Sequence, residues 1–416
     1  MAIGLKELGV NSLDIEKVRS DFPILSRKMN GQPLVFLDSA ASSQKPVQVI
    51  DAISNYYMRS HANVHRGVYQ LSQEATEAFE ATRRAVRDFI QARSEVEIIF
   101  VRGCTEGINL VAHSFGKSEV HPGDEILISG MEHHSNIVPW QMLCEERGAH
   151  LRVIPVLDNG ELDMEAYRSL LNEKVKLVAV NHVSNSLGTV NPIQKMIAMA
   201  HHWNIPVLVD GAQAVPHEKV NVTDLDADFY VFSGHKMYGP TGIGILYGKE
   251  KWLEKLPPYQ GGGEMISTVT FEKTTYNELP FKFEAGTPDI AGGIGLHAAI
   301  QYLDHLGMEA IKNHELELLT YGTEQLTALN GLQLIGTASQ KTGVFSFVVD
   351  GMHPYDIGSI LDKQGIAVRT GHHCTQPLMD RFKVPGTVRA SLGLYNNAED
   401  IDRLVEGLDR AMTMLK

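Results

Sequence analysis

The fold is decided by one stretch of the sequence, Asp228-Phe-Tyr-Val-Phe-Ser-Gly-His-Lys236-Met-Tyr-Gly-Pro240. Its apolar run predicts a buried strand, which delivers Lys236 into a glycine-rich turn with Ser233 and His235 beside it. Burial lowers the pKa of a lysine amine, and an uncharged amine can form a Schiff base with an aldehyde. A lysine that only caps the end of a strand is the alternative, and this stretch alone leaves both interpretations open.

A second strand end lies upstream, in Ile205-Pro-Val-Leu-Val-Asp210-Gly-Ala-Gln213-Ala. Buried parallel strands place the residues that follow them at the ligand-binding edge of the sheet. Pyridoxal phosphate enzymes need a lysine that forms an imine with the cofactor and a carboxylate that keeps the pyridine nitrogen protonated. Lys236 and Asp210 fit these two roles. An aspartate at a strand end can also be a helix cap, but its combination with the lysine favours the cofactor.

A phosphate site is predicted in Glu97-Ile-Ile-Phe-Val-Arg-Gly103-Cys104-Thr105-Glu106-Gly-Ile-Asn. This pattern is typical of a strand, a tight turn and a helix. The free N–H groups and the positive end of the helix dipole make such a turn an anion site. Many strand-to-helix turns have similar sequences, so this segment alone is weak evidence for a phosphate site. Its occurrence together with the Lys236 and Asp210 segments supports the prediction.

Five segments occur in one order along the chain: Met131-Glu-His133-His134-Ser-Asn-Ile, His182-Val-Ser-Asn185-Ser-Leu-Gly, Asp210-Gly-Ala-Gln213, Ser233-Gly-His235-Lys236 and Arg369-Thr-Gly-His-His-Cys374. Together they resemble the Suf-type cysteine desulfurases, which are class V aminotransferase-like, fold-type I pyridoxal phosphate enzymes. The resemblance runs from about residue 21 to the C-terminus. The short Gly-His-His-Cys-x-x-Pro segment resembles the second group of these enzymes, because the first group has a longer loop around its cysteine.

The resemblance implies a role for each matching residue. Lys236 would form the imine, Asp210 would pair with the pyridine nitrogen, Gln213 would bond the ring hydroxyl and His133 would stack on the ring as a catalytic residue. The residues implied around the phosphate are Thr105, Cys104, Ser233 and His235, with Thr287 reaching it from the second subunit of a homodimer. Those implied for the substrate are Asn185 and Arg389, which would bind its carboxylate, and Arg369 and His65, which would line the pocket. For His65 a polar loop residue without a function is an equal alternative.

The resemblance further implies conversion of L-cysteine to L-alanine. Lys236 would act as general base, and the Cys374 thiolate would attack the substrate sulfur and keep it as a persulfide. Selenocysteine lyase activity on the same fold is the nearest alternative, since selenium leaves with less help from an enzyme thiol. A non-catalytic scaffold that binds pyridoxal phosphate is a second alternative.

The chain has three cysteines, Cys104, Cys144 and Cys374, and no Cys-x-x-Cys pair. An odd and sparse count argues against a disulfide framework. Cys144 lies in an amphipathic pattern and is predicted to be a core residue. Cys104 stands where threonine is commoner in the family, so a side-chain bond to phosphate is in doubt there. Cys374 follows two histidines in a loop, where a thiolate is favoured and accessible.

A metal site is not predicted. The candidates are His133, His134, His372, His373 and Cys374. Adjacent histidines in an extended segment point in opposite directions, so each pair would lend one ligand. The chain also lacks a His-Glu-x-x-His helix and a closely spaced cysteine pair.

Composition sets limits on the cellular role. The chain has 416 residues, 43% of them hydrophobic and 21% charged, and a net charge of −13. That charge argues against nucleic acid and anionic membrane as partners. No apolar stretch approaches the roughly 18 residues of a membrane span, and the first residues lack a signal-peptide pattern. A cytoplasmic location is expected.

The periodicity predicts an α/β protein with fold-type I architecture. Strands are predicted at 97–101, 125–129, 151–156, 176–182, 206–210, 228–232 and 242–247, with helices such as 72–90, 164–171 and 193–203 around them, which indicates a mainly parallel seven-stranded sheet. A helical tract at 291–329 leads to a smaller α+β domain, with strands at 345–349, 365–369 and 388–391 and helices at 354–363 and 399–415. The predicted division is an N-terminal segment, 1–30, that packs with the small domain, a large cofactor-binding domain, 31–290, and a small domain, 291–416, with the Cys374 loop.

The destination of the sulfur is expected to be iron–sulfur cluster assembly. The short Cys374 loop favours a partner that comes to the persulfide, and the family offers a SufE-like acceptor or a zinc-containing SufU-like one. The zinc-dependent branch is expected to have His-Pro-His-Asp, whereas this chain has His353-Pro354-Tyr355-Asp356. Tyrosine stays protonated near neutral pH and is a poor zinc ligand. A SufE-like acceptor is therefore favoured.

Overall fold

The computed structural model describes residues 13–416, and seven strands form its central sheet. In chain order they are β1 (Ile98–Val101), β2 (Glu125–Ser129), β3 (His150–Ile154), β4 (Val175–Asn181), β5 (Val207–Asp210), β6 (Phe229–Ser233) and β7 (Gly244–Gly248). All seven predicted strands are present, with ends that differ by no more than two residues.

The strand order is β1-β7-β6-β5-β4-β2-β3. β7 runs antiparallel to both β1 and β6, and the other neighbours are parallel. Six strands therefore point the same way, and the turns that follow β1, β2, β4, β5 and β6 meet at one edge. The mainly parallel sheet of the prediction is confirmed, and it brings the predicted site segments together at the edge where such sheets bind ligands.

Both faces of the sheet are covered at β1, β5, β6 and β7, which explains their apolar runs, whereas the edge strand β3 is largely exposed and contains His150 and Arg152. In β6, Phe229 and Val231 belong to one buried cluster, whereas Tyr230 and Phe232 belong to the cluster on the other face. Successive side chains of a strand point to opposite faces, so a strand buried on both sides is apolar at every position.

Helices pack on both sides of the sheet. Gln70–Phe89 buries Ala75, Phe79 and Val86, as the apolar stripe predicted. The other helices of this part are Val47–Asn55, Cys104–Glu119, Val138–Arg147, Met164–Leu170, Ile193–His201, Val222–Leu225, Glu250–Lys255 and Ile290–Leu306.

The C-terminal part contains a second, antiparallel sheet. Its strands are β8 (Leu332–Leu334), β9 (Val344–Val349), β10 (Arg369–Gly371) and β11 (Thr387–Ser391), in the order β8-β9-β11-β10. Its helices are Met308–Thr327, Pro354–Lys363, Gln376–Phe382 and Ala398–Leu415. This is the α+β pattern that the sequence predicted.

Two predicted elements of this part are corrected. The helical tract 291–329 is two helices, because Gly307 adopts a φ of +86° between them, a conformation that ends a helix. The predicted strand 365–369 is also divided. Ile366–Ala367 pairs in parallel with Val35–Phe36, and only then does β10 begin.

The N-terminal residues contact the small sheet and its helices. Residues 1–12 of the predicted N-terminal segment lie outside the described residues. In the helix Ile15–Ser20, Arg19 Nη1 donates to Asp400 Oδ2 at 2.8 Å. Val35–Phe36, which the predicted boundaries assign to the large domain, pairs with Ile366–Ala367, which they assign to the small one. The division at residues 30 and 290 stays a prediction.

The remaining elements are short. They are the strands Lys28–Met29 and Gln32–Pro33, the hairpin Ile266–Val269 with Thr274–Tyr276, the π-helical turn Tyr56–Ser60, and 3-10 turns at Pro23–Ser26, Glu95–Glu97, His134–Asn136, Gly234–Lys236 and Phe281–Phe283. Within residues 13–416, no helix combines the length and the apolar character that crossing a membrane requires.

Candidate active site

Lys236 ends the 3-10 turn that follows β6, at the shared edge of the sheet. Burial lowers the pKa of its amine, although the nearby Asp210 carboxylate opposes that shift. No described residue accepts a hydrogen bond from this amine. An amine that is partly desolvated and free of protein partners is suited to bind an aldehyde.

Asp210 ends β5, next to β6. Its Oδ1 accepts hydrogen bonds from the Ala212 backbone N–H at 3.0 Å and from the Cys104 thiol at 3.5 Å. Among the described residues, none donates to Oδ2. Burial raises the pKa of the Asp210 carboxyl, so a cationic donor at Oδ2 would stabilise its charged form. The protonated nitrogen of a pyridine ring is such a donor, so this carboxylate fits pyridoxal phosphate.

A cavity of about 460 Å³ lies at the N-terminus of the helix Cys104–Glu119. The four predicted phosphate residues of this chain all line it: Cys104, Thr105, Ser233 and His235. A helix N-terminus with hydroxyl groups beside it matches the chemistry of a phosphate group. The cavity therefore fits the phosphate end of the cofactor.

Cys104 lines this cavity, but its N–H and its thiol bind other protein groups. Its backbone N–H donates to Ser233 Oγ at 2.9 Å, and its thiol points to Asp210. Both groups already have protein partners, so the phosphate would depend on Thr105, Ser233 and His235. The prediction that Cys104 binds the cofactor remains a prediction, and the structure connects its thiol to the carboxylate side.

Two histidines of the site are held neutral. Burial and the positive charge of Lys236 lower the pKa of His133 to about 3 and that of His235 to about 4. His133 Nδ1 accepts a hydrogen bond from the Ser135 backbone N–H at 3.1 Å, which fixes the ring. A neutral, oriented imidazole is suited to stacking on an electron-poor ring.

Gln213 is buried, and its Nε2 donates to the Ala40 carbonyl at 2.6 Å. One N–H of the amide and its oxygen are left for a ligand. The predicted bond to the cofactor's ring hydroxyl is compatible with this arrangement and stays a prediction.

Cys374 lies in a tight loop that the turns after β2 and β4 hold in place. His373 and Cys374 both have positive φ values, +52° and +58°. The His134 backbone N–H donates to the Cys374 carbonyl at 2.8 Å, and Asn185 Nδ2 donates to the His373 carbonyl at 2.8 Å. Cys374 is half-buried. The hydrogen bonds fix the backbone of its loop to the turns after β2 and β4.

Arg389 and Asn185 form a polar patch near this loop. Arg389 is 2% exposed, and its guanidinium donates to the Asn185 carbonyl at 2.9 Å and to Asp38 Oδ1 at 3.0 Å. Arg389 Nε and Asn185 Oδ1 are buried without a partner in the described part of the chain. Unpaired buried polar atoms call for a ligand, so this patch fits a substrate with a carboxylate and an amine.

Two predicted pocket residues have other neighbours. Arg369 is exposed on β10, directly opposite Arg389 on β11. His65 has a φ of +69°, and its Nε2 lies 2.9 Å from Glu80 Oε1. Their roles in substrate binding stay predictions.

Thr287 lies in another cleft of this subunit. It lines a cavity of about 410 Å³ with Arg102, Glu106 and Asp289 among others, and it is absent from the lining of the phosphate cavity. This placement is compatible with a residue that serves a second subunit. Within residues 13–416, no group of three or more histidine, cysteine, aspartate and glutamate side chains is arranged for a metal ion.

Sequence reasoning missed two residues of this region, Asp38 and Lys45. Asp38 pairs with Arg389, and the Lys45 ammonium reaches the carbonyl next to Lys236. Asp38 directly follows the apolar run Leu34-Val-Phe-Leu, and a charge in that position was the available signal for it. Lys45 lies seven residues further on and has no such signal.

Known proteins resemble the chain over nearly its whole length. Residues 35–404 match the aminotransferase class-V family. The chain is 56% identical over 402 residues to a cysteine desulfurase of Salmonella agona, covering 96% of this chain and 99% of that one. The crystal structure of the cysteine desulfurase CsdA from Escherichia coli has a TM-score of 0.91 and 37% identity, covering 98% of this chain and all of that one. The apo cysteine desulfurase of Thermococcus onnurineus has a TM-score of 0.92 and 39% identity, covering 97% of this chain and 100% of that one.

Proposed function

The chain belongs to the aminotransferase class-V family and is a pyridoxal phosphate-dependent cysteine desulfurase, and on that premise we propose that Cys374 receives the sulfur of L-cysteine as a persulfide. The observation that carries this proposal is the anchoring of the Cys374 loop on His134 and Asn185. These residues belong to turns at the same sheet edge as Lys236 and Asp210. A nucleophile held there can reach a substrate bound beside Lys236.

The proposed roles follow from the geometry of each side chain. When bound, pyridoxal phosphate supplies a ring that accepts electrons from the substrate's α-carbon. Lys236 would hold it covalently and, once released, move a proton at that carbon, since its lowered pKa favours a neutral amine. Asp210 would keep the ring nitrogen protonated, and Arg389 would orient the substrate carboxylate.

Cys374 supplies the nucleophile of the sulfur transfer. Its thiolate attacks the substrate sulfur, so that an S–S bond forms while the substrate's carbon–sulfur bond breaks. The electrons of the broken bond stay with the carbon skeleton, which takes up a proton and leaves as alanine. Cys374 then carries the transferred sulfur atom as a persulfide.

We further propose that a protein acceptor of the SufE-like type takes this sulfur toward iron–sulfur cluster assembly in the cytoplasm. The carbonyls of His373 and Cys374 both accept hydrogen bonds, so the backbone of the loop is fixed and the thiol has little freedom to move. Tyr355 occupies the position where a zinc-exchanging partner would need a ligand, and its side chain is 67% exposed. Three free cysteines suit a reducing compartment.

Alanine release from L-cysteine is expected to rise when a SufE-like acceptor is added and to stay at its basal rate with a zinc-containing SufU-like acceptor. The reason is that tyrosine, unlike histidine, is not among the usual zinc ligands, and Tyr355 stands where the zinc-dependent branch is expected to have histidine. The measurement is alanine per enzyme with cysteine alone and with each acceptor. Stimulation by the zinc-containing acceptor alone contradicts the choice of partner, while lack of alanine in all three would favour the non-catalytic scaffold.

We propose a homodimer in which Thr287 of one subunit reaches the phosphate site of the other. Thr287 is exposed and does not line the phosphate cavity of its own chain, and both observations support this proposal. Thr287→Ala is expected to release the cofactor a few-fold faster, because one hydroxyl donor is lost. Sedimentation gives the assembly state and dialysis gives the release rate; an active monomer would rule the shared site out.

A further inference from the structure

The carbonyl of His235, next to Lys236, receives an unusual number of donors from one short segment. Ser43 N, Ser42 Oγ and Ser43 Oγ lie 3.1, 3.2 and 3.2 Å from it, and Lys45 Nζ lies 2.9 Å from it. A carbonyl oxygen has two lone pairs, so these donors compete. The ammonium group makes the shortest of these contacts and carries a charge, which makes its hydrogen bond the strongest.

Lys45 is an isolated cation in this place. Its second acceptor is the Ser43 carbonyl at 2.6 Å, and within residues 13–416 no carboxylate lies within salt-bridge distance of it. Burial lowers its pKa to about 8. A buried cation that is compensated only by two carbonyl groups and one hydroxyl, Ser43 Oγ at 3.5 Å, reduces stability, which argues for a role beyond holding the loop.

Residues 42–45 also bind the turn after Lys236. Ser43 Oγ accepts a hydrogen bond from the Tyr238 backbone N–H at 2.8 Å. The residues just before and just after the Lys236–Met237 pair are therefore fixed to residues 42–45. The position of the lysine side chain depends on both attachments.

We propose that Lys45 is a positioning residue for Lys236, because its ammonium group fixes the His235 carbonyl and so holds the turn from which Lys236 reaches pyridoxal phosphate. The inference rests on the proposed role of Lys236. Lys45 also adds positive charge beside His235, together with burial and Lys236, and so helps to keep that imidazole neutral toward the phosphate.

Lys45→Met tests this, with Lys341→Met as the matched control. Lys341 is also a buried lysine with a pKa lowered to about 8 by burial, and its ammonium also donates to two carbonyls, those of Leu187 and Gly336. The holoenzymes are compared by melting temperature, by the rate of cofactor release on dialysis and by the visible absorption band of the bound cofactor.

Cofactor release from Lys45→Met is expected to be about tenfold faster than from the wild type, which corresponds to the loss of one charged hydrogen bond. Lys341→Met is expected to release it at the wild-type rate, even where both variants melt at a similar lower temperature. Wild-type release from Lys45→Met, or equally fast release from both variants, overturns the proposal.

A second variant covers the case in which Lys45→Met does not fold. Ser43→Ala removes the three hydrogen bonds of the Ser43 hydroxyl, with the His235 carbonyl, the Tyr238 N–H and the Lys45 ammonium, so faster cofactor release supports the proposal and unchanged release overturns it. Lys236→Ala is measured beside them. If that variant keeps the visible band, the assignment of Lys236 fails; if it loses the band while Lys45→Met behaves as the wild type, only the inference about Lys45 fails.

Discussion

Cys374→Ser is expected to lower alanine release from L-cysteine by a factor on the order of a thousand or more, while the cofactor stays bound. A serine hydroxyl is not ionised near neutral pH and does not form a persulfide. The contacts that fix the loop run through the backbone carbonyls of His373 and Cys374, so the substitution leaves them in place. The measurement is alanine per enzyme, with mass spectrometry of the Cys374 peptide for the extra sulfur atom.

Cys144→Ser is the matched control. Cys144 is a second free cysteine, buried in the helix Val138–Arg147, and this variant is expected to keep the wild-type rate and the persulfide on Cys374. Undiminished alanine release by Cys374→Ser would refute the persulfide mechanism. Turnover of selenocysteine that survives in the same variant would show the additional lyase activity, since selenium leaves with less help.

The central sheet could be predicted because each of its strands carries its own signal. Strands buried on both faces carry apolar runs, as in β2, where Ile126-Leu-Ile128 lies between Glu125 and Ser129 and the predicted and observed bounds agree. The strand ends shifted elsewhere because hydrophobicity reports burial, whereas the hydrogen-bond ladder decides where pairing stops. Gly307 illustrates a further limit, since one residue with a positive φ divides a tract whose hydrophobic pattern continues.

Local sequence patterns predicted the candidate site where its residues end strands, whereas Arg389, in the middle of β11, was expected from the resemblance to the family. Lys236 and Asp210 follow apolar runs, so the topology alone brings them to one edge. Asp38 and Lys45 meet Arg389 and His235 across 351 and 190 positions of the chain, and no local pattern announces such contacts. The contact between the Cys104 thiol and Asp210 could not be predicted either, because it depends on the position of the neighbouring strand.

Lys236→Ala is expected to remove the visible absorption band of the lysine-linked cofactor and to reduce alanine release by a factor on the order of a thousand or more. The substitution removes both the covalent attachment and the proposed general base. The phosphate cavity and the Asp210 carboxylate do not depend on the side chain of Lys236, so the variant is expected to bind pyridoxal phosphate reversibly. Absorption spectra before and after dialysis measure this.

The exposed Lys251 supplies the control, because its side chain is 67% exposed and Lys251→Ala is expected to keep both the band and the activity.

The lowered pKa of Lys236 allows a second experiment on the same residue. A lysine attacks the cofactor's aldehyde only as the neutral amine, and a lower pKa extends the neutral form to lower pH. Linkage of added pyridoxal phosphate to the cofactor-free wild type should therefore persist at a pH where free lysine no longer reacts. A variant without Lys236 that still shows the band at any pH would place the attachment on another amine and remove the basis for the roles proposed at this edge of the sheet.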